Sequence, residues 1–323
     1  MEREVEKLNP ICEKLNIQYP IIQGGMGNVS NAELASAISN AGGMGTIGAG
    51  TMSPEEVEKL IIATKGMTDK PFAVNVPLTV ASNVKEILKL LIKHKVEAVS
   101  LSAGNPAPYI PKLKENGLKV ICVVASVYHA KKAEAAGADI LVAEGYEAAG
   151  LNSPYETTTM VLLPQVSRSV TIPVIAAGGI ADGGGLAAAF ALGAQGVQMG
   201  TRFIATKEAP FHEIYKTSLV EADDTKTLIV GRTTGKIRRI YNTPYAQKLI
   251  QLERKGVTPE EFLTHTSEDH HILGAVKGDL ENGFINSGQI AGAINDVPSV
   301  KELLENIMKE AKETVSLLNE RLK

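Results

Sequence analysis

The chain of 323 residues contains no tryptophan, and phenylalanine and tyrosine together make up only 4% of it. Proteins that bind single-stranded nucleic acid stack bases on aromatic side chains, so this composition argues against such a role. The chain also lacks a large excess of either charge, because 33 basic residues and 36 acidic ones leave a net charge of −3. Without a basic field to attract phosphates, we expect no nucleic-acid partner.

Cysteines and long apolar runs are also scarce. Cys12 and Cys122 lie far apart in the sequence, which indicates reduced thiols and not a disulfide framework. The apolar stretch from Leu186 to Ala194 is much shorter than the roughly 20 residues needed to span a bilayer. The opening MEREVEKLNP is charged and lacks the apolar segment of a signal peptide. We therefore expect a cytoplasmic protein with no membrane partner.

What the sequence does contain is a repeated unit, in which a short apolar run ends in glycine or a small polar residue and a helical stretch follows. Eight such runs begin at Pro20, Gly42, Pro71, Glu97, Lys119, Asp139, Ile172 and Gly196. Because they are continuously apolar and do not alternate, they indicate strands that are covered on both faces, as in a parallel sheet. The sequence predicts an α/β fold, a (β/α)8 TIM barrel, with a doubly wound sheet as the alternative.

The repeated unit stops after Thr201. From Phe211 to Ile272 the chain is charged, helical and rich in turns, which predicts a smaller, mostly helical second domain over the C-terminal face of the barrel. We assign residues 1–207 and 283–323 to the barrel and residues 208–282 to this second domain, which we call the cap.

The seventh and eighth runs end in paired small residues. Gly178 and Gly179 precede a helix whose predicted N-cap is Asp182, and Gly200 and Thr201 close the eighth run. In TIM barrels the loops after these two strands often bind phosphate, with exposed backbone N–H groups and a helix N-terminus facing the anion. A tight turn would explain one such loop. Two in neighbouring positions favour a phosphate site, and we call these two pairs of residues the glycine cradle.

Other strand ends also carry unusual residues. The first run ends with Gly24, Gly25 and Met26, which would let the backbone lie against a flat ring. Asn75 and Gln198 interrupt apolar runs, and buried amides require partners. Each alone is more often a structural hydrogen bond. Together with the glycine cradle they indicate a flat heterocycle with a phosphate tail, which FMN matches better than a bare sugar phosphate.

These segments closely resemble the nitronate monooxygenase family, formerly called 2-nitropropane dioxygenases, which includes the flavin-dependent type II enoyl-ACP reductases. The motifs are YPIIQGGMGNVSNAELASAISNAGGMGTIGAG, DKPFAVNVPL, SAGNP, IPVIAAGGIADGGG and ALGAQGVQMGTRF. The resemblance extends from Leu15 to Gly292. It is closest to the reductase branch, because VGRTTGKIRR and GDLENGFINSGQIAG also look like that branch.

The resemblance implies a barrel that binds FMN, with the phosphate on the glycine cradle and NAD(P)H as electron donor. It implies ring contacts at Gly25, Met26, Asn75 and Gln198, and a further contact at Glu144. It also implies a monovalent cation near residues 286–289, an acyl-thioester substrate, acyl carrier protein as a possible source of that substrate, and a homodimer.

The sequence departs from the family where its histidine is expected. After the sixth strand the family carries EAGGH, whereas this chain reads EAAGLNSPYETTT, with Leu151 at the position of the histidine. A leucine cannot act as general acid or base, which argues against deprotonation of neutral nitroalkanes. Asn152, Tyr155 and Glu156 are weak catalytic candidates, with a plain turn as the alternative for this loop. His129 looks like an exposed helix position.

Two further clusters invite functional interpretations. A basic cluster in the cap is either solvated surface or a dock for NAD(P)H or a phosphopantetheine arm; it comprises Arg232, Lys236, Arg238 and Arg239. A polar segment, THTSEDHH, contains three histidines, His265, His270 and His271. Their spacing matches no standard metal site, so we expect no metal there.

The first functional hypothesis is therefore an FMN-dependent oxidoreductase that reduces an enoyl-thioester-like acceptor with NAD(P)H. The rival within this class is a nitronate monooxygenase that oxidises alkyl nitronates with O2. Outside this class, the alternatives are a non-catalytic flavin-binding protein and a non-redox barrel that binds a phosphorylated substrate. A non-redox enzyme would need a catalytic Lys, Glu or Asp at a strand end, and Glu144 is the clear candidate in the sequence.

Overall fold

The computed structural model describes residues 9–323, so most of the charged opening segment lies outside the described residues. The first two thirds of the chain contain nine strands, and all but β7 belong to one parallel sheet. In chain order they are β1 (Ile21–Gln23), β2 (Gly45–Gly48), β3 (Phe72–Pro77), β4 (Ala98–Ser102), β5 (Lys119–Val124), β6 (Ile140–Glu144), β7 (Gly150–Leu151), β8 (Val174–Ala177) and β9 (Gly196–Met199).

The parallel sheet closes into a barrel. Strands β2 to β6 pair with their sequence neighbours, β6 pairs with β8, and β9 pairs with β1. The last seam, between β1 and β2, has a parallel bridge at Ile22 and Met44. Beside it, the side-chain carbonyl of Gln23 accepts a hydrogen bond of 2.9 Å from the backbone N–H of Thr46. The predicted TIM barrel is confirmed, and all eight predicted strands are present.

Helices accompany the strands of the barrel, and several of them begin at a residue whose side chain accepts a hydrogen bond from the first turn. The helices are α1 (Pro10–Leu15), α2 (Ala32–Asn40), α3 (Pro54–Met67), α4 (Val84–Lys93), α5 (Ile110–Glu115), α6 (Val127–Ala135), α7 (Thr159–Ser167), α8 (Gly183–Ala191) and the short α9 (Thr201–Ile204). Asp182 caps α8 as predicted, because its carboxylate accepts from the N–H of Gly185 at 2.8 Å.

The interior of the barrel changes from apolar to polar along its axis. Ile11 and Leu15 of helix α1 pack against the apolar residues in the centre of the barrel. On β6, Val142 belongs to this apolar cluster, and Glu144, two residues later, points to the same side because side chains alternate along a strand. On β3, Asn75 follows Ala73 in the same way. The inward positions nearest the C-terminal face are therefore the ones that carry polar groups.

The cap contains four helices and a hairpin. Its elements are α10 (Glu213–Val220), β10 (Thr227–Val230), β11 (Arg238–Tyr241), α11 (Pro244–Arg254), α12 (Pro259–His265) and α13 (Glu268–Ala275). The helices agree with the predicted mostly helical cap, whereas the hairpin was not predicted. Strand β7 leaves the barrel and pairs with β11, which makes a three-stranded antiparallel sheet. The boundaries of the cap at residues 208 and 282 stay a prediction.

The last helix, α14 (Val300–Arg321), returns to the barrel and packs on α8. Gly183 permits this close contact, because a side chain there would overlap Glu310 and the backbone of α14. Within residues 9–323, none of the helices combines the length and apolar composition needed to cross a bilayer.

Candidate active site

A cavity of about 710 Å³ lies at the C-terminal ends of the barrel strands, under the cap. All ten residues predicted to contact a cofactor line this cavity; they are Gly24, Gly25, Met26, Asn75, Glu144, Gly178, Gly179, Gln198, Gly200 and Thr201. The structure thus brings together residues from five strand ends that are up to 177 positions apart. Their roles as cofactor contacts stay predictions.

The glycine cradle forms one end of the cavity. Gly178 and Gly179 have φ angles of +94° and +73°, a left-handed conformation that side chains disfavour. A Cβ atom at Gly200 would have no neighbour within 4 Å, so open space lies in front of its backbone. The hydroxyl of Thr201 accepts from the N–H of Gly288 at 2.9 Å. Backbone donors without side chains suit the phosphate group of FMN.

One carboxylate lies close to the glycine cradle but is directed elsewhere. Glu147 accepts hydrogen bonds from the backbone N–H of Thr159 at 2.9 Å and from its hydroxyl at 3.0 Å. Its negative charge therefore stabilises the first turn of α7. The cradle itself presents backbone groups and a hydroxyl.

The loop after β1 lies directly against β3. A Cβ atom at Gly25 would come within 2.5 Å of the side-chain oxygen of Asn75, so only glycine permits this approach. The amide nitrogen of Asn75 donates to the hydroxyls of Ser100 at 3.2 Å and Ser102 at 3.1 Å. Gln198 is half-buried, and its amide makes no hydrogen bond to the described residues. Amide groups with unused hydrogen-bonding atoms suit the polar edge of a flavin ring.

Glu144 lies at the end of β6 and faces the cavity without a hydrogen-bond partner among residues 9–323. Burial raises the pKa of its carboxyl group from 4.5 to about 7. The group can therefore hold or release a proton near neutral pH. Because Glu144 belongs to the inward face of the barrel, this proton would be exchanged at the floor of the cavity.

This raised pKa makes the stability of the protein depend on pH. Between pH 4.5 and 7 the unfolded chain has lost the proton while the folded chain still holds it, so the free energy of unfolding falls as pH rises. The full loss is about 3 kcal/mol. We expect Glu144→Gln to be more stable than the original chain at pH 8 by this amount, and equally stable at pH 4. Urea denaturation of flavin-free protein across this range measures the difference.

The matched control for this prediction is Glu33→Gln, which changes an exposed carboxylate on α2. It is expected to leave the pH dependence unchanged. Parallel stability curves for Glu144→Gln and the original chain would show that the carboxyl of Glu144 is solvated like any surface group.

The residues near the missing histidine separate into two groups. Leu151 and Asn152 line the cavity, and the Leu151 side chain is 42% exposed. The Asn152 amide donates to the carbonyl of Ala148 at 2.8 Å, which is a structural role. Tyr155 and Glu156 lie outside the cavity lining. Glu156 forms an ion pair of 2.8 Å with Arg232, which weighs against a part for it in catalysis.

His129 was not predicted from the sequence to line the cavity. It is exposed, as expected, but it also lines the mouth of the cavity beside Tyr128. Its ring centroid lies 6.0 Å from that of Tyr155. The signal was available, because Ser126 caps α6 directly after β5. The first turn of that helix must therefore stand at the C-terminal rim of the barrel.

The basic cluster does not form one surface. Arg232 pairs with Glu156, and Arg239 is buried, donating to the carbonyl of Tyr146 at 3.1 Å and the hydroxyl of Thr227 at 3.1 Å. Lys236 remains exposed. Arg238 is buried and lines the cavity from the cap side. A surface dock formed by all four side chains is therefore not supported.

Two of the three histidines of the cap stack on aromatic rings. His270 stacks on Tyr245 with centroids 5.4 Å apart, and His271 stacks on Phe284 at 5.3 Å. Among residues 9–323 no group of three or more potential metal ligands lies together. The predicted monovalent cation near residues 286–289 stays a prediction. In that segment the Asn286 carbonyl accepts a hydrogen bond from the hydroxyl of Tyr215.

A TIM barrel with a glycine cradle at its last two strands and amides at its inner rim is the arrangement expected of a flavin-dependent oxidoreductase. The family model described as nitronate monooxygenase matches residues 9–86 and 76–310. The chain therefore belongs to the nitronate monooxygenase family, and the predicted resemblance is confirmed.

Three relatives illustrate the range of this family. The solved structure of FabK from Thermotoga maritima is 45% identical, with a TM-score of 0.93, and the match covers 98% of this chain and 99% of that one. A Mycobacterium tuberculosis protein named (3aS,4S,5R,7aS)-5-hydroxy-7a-methyl-1-oxo-octahydro-1H-indene-4-carboxyl-CoA dehydrogenase is 34% identical over 94% of this chain and 95% of its own length. A probable nitronate monooxygenase from Staphylococcus saprophyticus is 33% identical over 94% and 97%.

Proposed function

We propose that the protein is an FMN-dependent reductase that takes electrons from NAD(P)H and reduces the C=C bond of an enoyl-thioester-like acceptor. The observation that carries this proposal is the pair formed by Leu151 and Arg238. They lie opposite each other in the register of β7 and β11, and both line the cavity. An apolar surface beside a cation suits an acyl thioester better than it suits removal of a proton from carbon.

The residues divide the work in this proposal. The glycine cradle would hold the FMN phosphate, Gly25 and Met26 would contact the ring, and Asn75 and Gln198 would bind its polar groups. FMN, when bound, supplies two-electron chemistry between the nicotinamide and the acceptor. Glu144, at the cavity floor, is a group that exchanges a proton near neutral pH.

The thioester class has support from the relatives. FabK matches almost the whole chain, and the name of the Mycobacterium tuberculosis relative describes a CoA thioester. Delivery by coenzyme A or by acyl carrier protein, a monovalent cation and assembly as a homodimer belong to the same proposal. Turnover with each carrier tests the first of these three, the dependence of activity on monovalent salts tests the second, and analytical sedimentation tests the third.

Oxidation of alkyl nitronates with O2 is the second candidate. A nitronate is already ionised, so its oxidation does not require a base at Leu151. Several relatives that match over most of the chain are probable nitronate monooxygenases. This candidate predicts that a nitronate alone reduces the bound flavin.

Anaerobic stopped-flow spectroscopy of the purified, flavin-loaded protein distinguishes the two. We expect NADH or NADPH to bleach the flavin band at about 450 nm, and crotonyl-CoA to restore it with formation of butyryl-CoA. Rapid bleaching by propyl-2-nitronate, with none by either nicotinamide, would favour the monooxygenase. Protein that takes up no FMN would contradict both.

A further inference from the structure

The cap contributes one charged side chain whose hydrogen-bonding capacity is largely unused. Arg238 is only 7% exposed and lines the cavity. Its Nη1 donates to the side-chain oxygen of Asn286 at 3.2 Å, and this is its only hydrogen bond to residues 9–323. A guanidinium group has five N–H donors. Most of these donors are therefore available to something else.

The free donors face the cavity. Within the described residues, the only buried side-chain nitrogen or oxygen that lacks both a partner and solvent contact is Nε2 of Gln23. The Nε and Nη2 atoms of Arg238 have no protein partner, so they must be accessible to solvent. Because the residue itself is buried and lines the cavity, that solvent is in the cavity.

The surroundings of Arg238 do not neutralise its charge by direct contact. The guanidinium lies over the ring of Phe284 at 5.0 Å, and no carboxylate of the described residues lies within ion-pair distance of it. Glu268 is the nearest acidic influence, but its own contacts are the N–H of Asn28 at 3.3 Å and His271 at 3.5 Å. A buried cation with so few partners is costly unless a ligand completes its contacts.

The position of Arg238 relative to the barrel identifies what it would meet. In an antiparallel pair, side chains directly opposite each other lie on the same face of the sheet. Arg238 is opposite Leu151, which follows β6 and the inward-facing Glu144. Arg238 therefore reaches the cavity from above, on the side opposite the barrel floor.

We propose that Arg238 donates hydrogen bonds to the carbonyl oxygen of the acyl thioester and stabilises the negative charge that develops on this oxygen during reduction. This inference rests on the proposed function. Hydride adds to the β-carbon, the C=C π pair breaks, and its electrons move to the thioester oxygen as an enolate. A proton from solvent then adds to the α-carbon and gives the saturated thioester, while NAD(P)H is oxidised to NAD(P)+. A fork of preorganised donors stabilises such an oxyanion.

The test separates the two halves of the reaction in flavin-loaded Arg238→Met and Arg238→Lys. Reduction by NAD(P)H should stay within about threefold of the original chain. Reoxidation by crotonyl-CoA should slow about 100-fold in Arg238→Met, the loss typical of an oxyanion donor. Arg238→Lys keeps the charge without the fork and should slow less. Reoxidation by O2, which needs no thioester carbonyl, should be unchanged in both variants.

Arg239→Met is the matched control, because Arg239 is equally buried on the same strand but does not line the cavity. This variant should lose stability, because Arg239 donates hydrogen bonds to Tyr146 and Thr227, but it should not slow reoxidation of the flavin by crotonyl-CoA. If Arg238→Met does not fold, Arg238→Lys decides. Unchanged reoxidation by crotonyl-CoA, or equal slowing with O2, would overturn the inference. A failure of the proposed function is recognised separately, because the original chain itself would then not react with crotonyl-CoA, and the inference would fall with it.

Discussion

Gly200→Asp is expected to yield a folded but colourless protein. A side chain at Gly200 has open space on the cavity side, so the substitution should not disturb the barrel. Its carboxylate would instead occupy the place proposed for the FMN phosphate and repel that phosphate. Loss of a charge-assisted hydrogen bond together with repulsion at about 4 Å corresponds to roughly 4 kcal/mol. Affinity for FMN should therefore fall about 1000-fold, as measured by fluorescence titration of flavin-free protein.

The matched control is Gly66→Asp. A Cβ atom at Gly66 also has no neighbour within 4 Å, but this glycine lies on the exposed surface of α3. This variant should bind FMN like the original chain, and both variants should show unchanged circular dichroism. Undiminished flavin binding by Gly200→Asp would place the phosphate elsewhere in the cavity.

Among the substitutions named here, Glu268→Ala is expected to lower the free energy of unfolding the most. The carboxylate lies at the start of α13 and joins the cap to the barrel, because it accepts from the N–H of Asn28 in the loop after β1. It also contacts His271 and lies near the charge of Arg238. Removing it leaves the N–H of Asn28 and the buried ring of His271 without this acceptor, at a cost of about 3 kcal/mol. Urea denaturation at pH 7 measures this loss.

The pH dependence of that loss has a definite sign. Burial alone would raise the pKa of Glu268, but the hydrogen bond with His271 and the charge of Arg238 outweigh it and hold the pKa below its usual 4.5. The stabilisation is therefore present above pH 4.5 and decreases as the carboxylate becomes protonated at lower pH. The control is Asp269→Ala, the exposed neighbour on α13, which should change stability by no more than about 0.5 kcal/mol. An equal loss for both variants would contradict the proposed link.

Much of the barrel was predictable because its strands are buried on both faces and therefore appear as unbroken apolar runs. Asn75 and Gln198 interrupt such runs, and a polar residue inside a buried strand indicates a site at the end where the barrel opens. The glycines were informative for a similar reason, since Gly178 and Gly179 occupy left-handed conformations at the expected end of the barrel.

The rest depended on contacts between distant segments. Strand β7 has only two residues, too few for any sequence period, and it exists because β11 pairs with it. The sequence does not distinguish the four basic residues of VGRTTGKIRR from one another. In the structure, however, Arg238 lines the cavity, whereas Arg239 donates to the carbonyl of Tyr146. Alternation along β11 separates them, and that alternation could not be predicted before the hairpin was known.

Because β7 belongs to the sheet of the cap, the protein cannot be divided into a complete barrel and a complete cap. Two residues of β7, which follow the sixth barrel strand, complete the sheet that also contains β10 and β11. Expressed alone, residues 208–282 would lack this edge strand, and a barrel without them would leave β7 unpaired. We therefore regard barrel and cap as one cooperative folding unit, in which Leu151 both lines the cavity of the barrel and pairs with strand β11 of the cap.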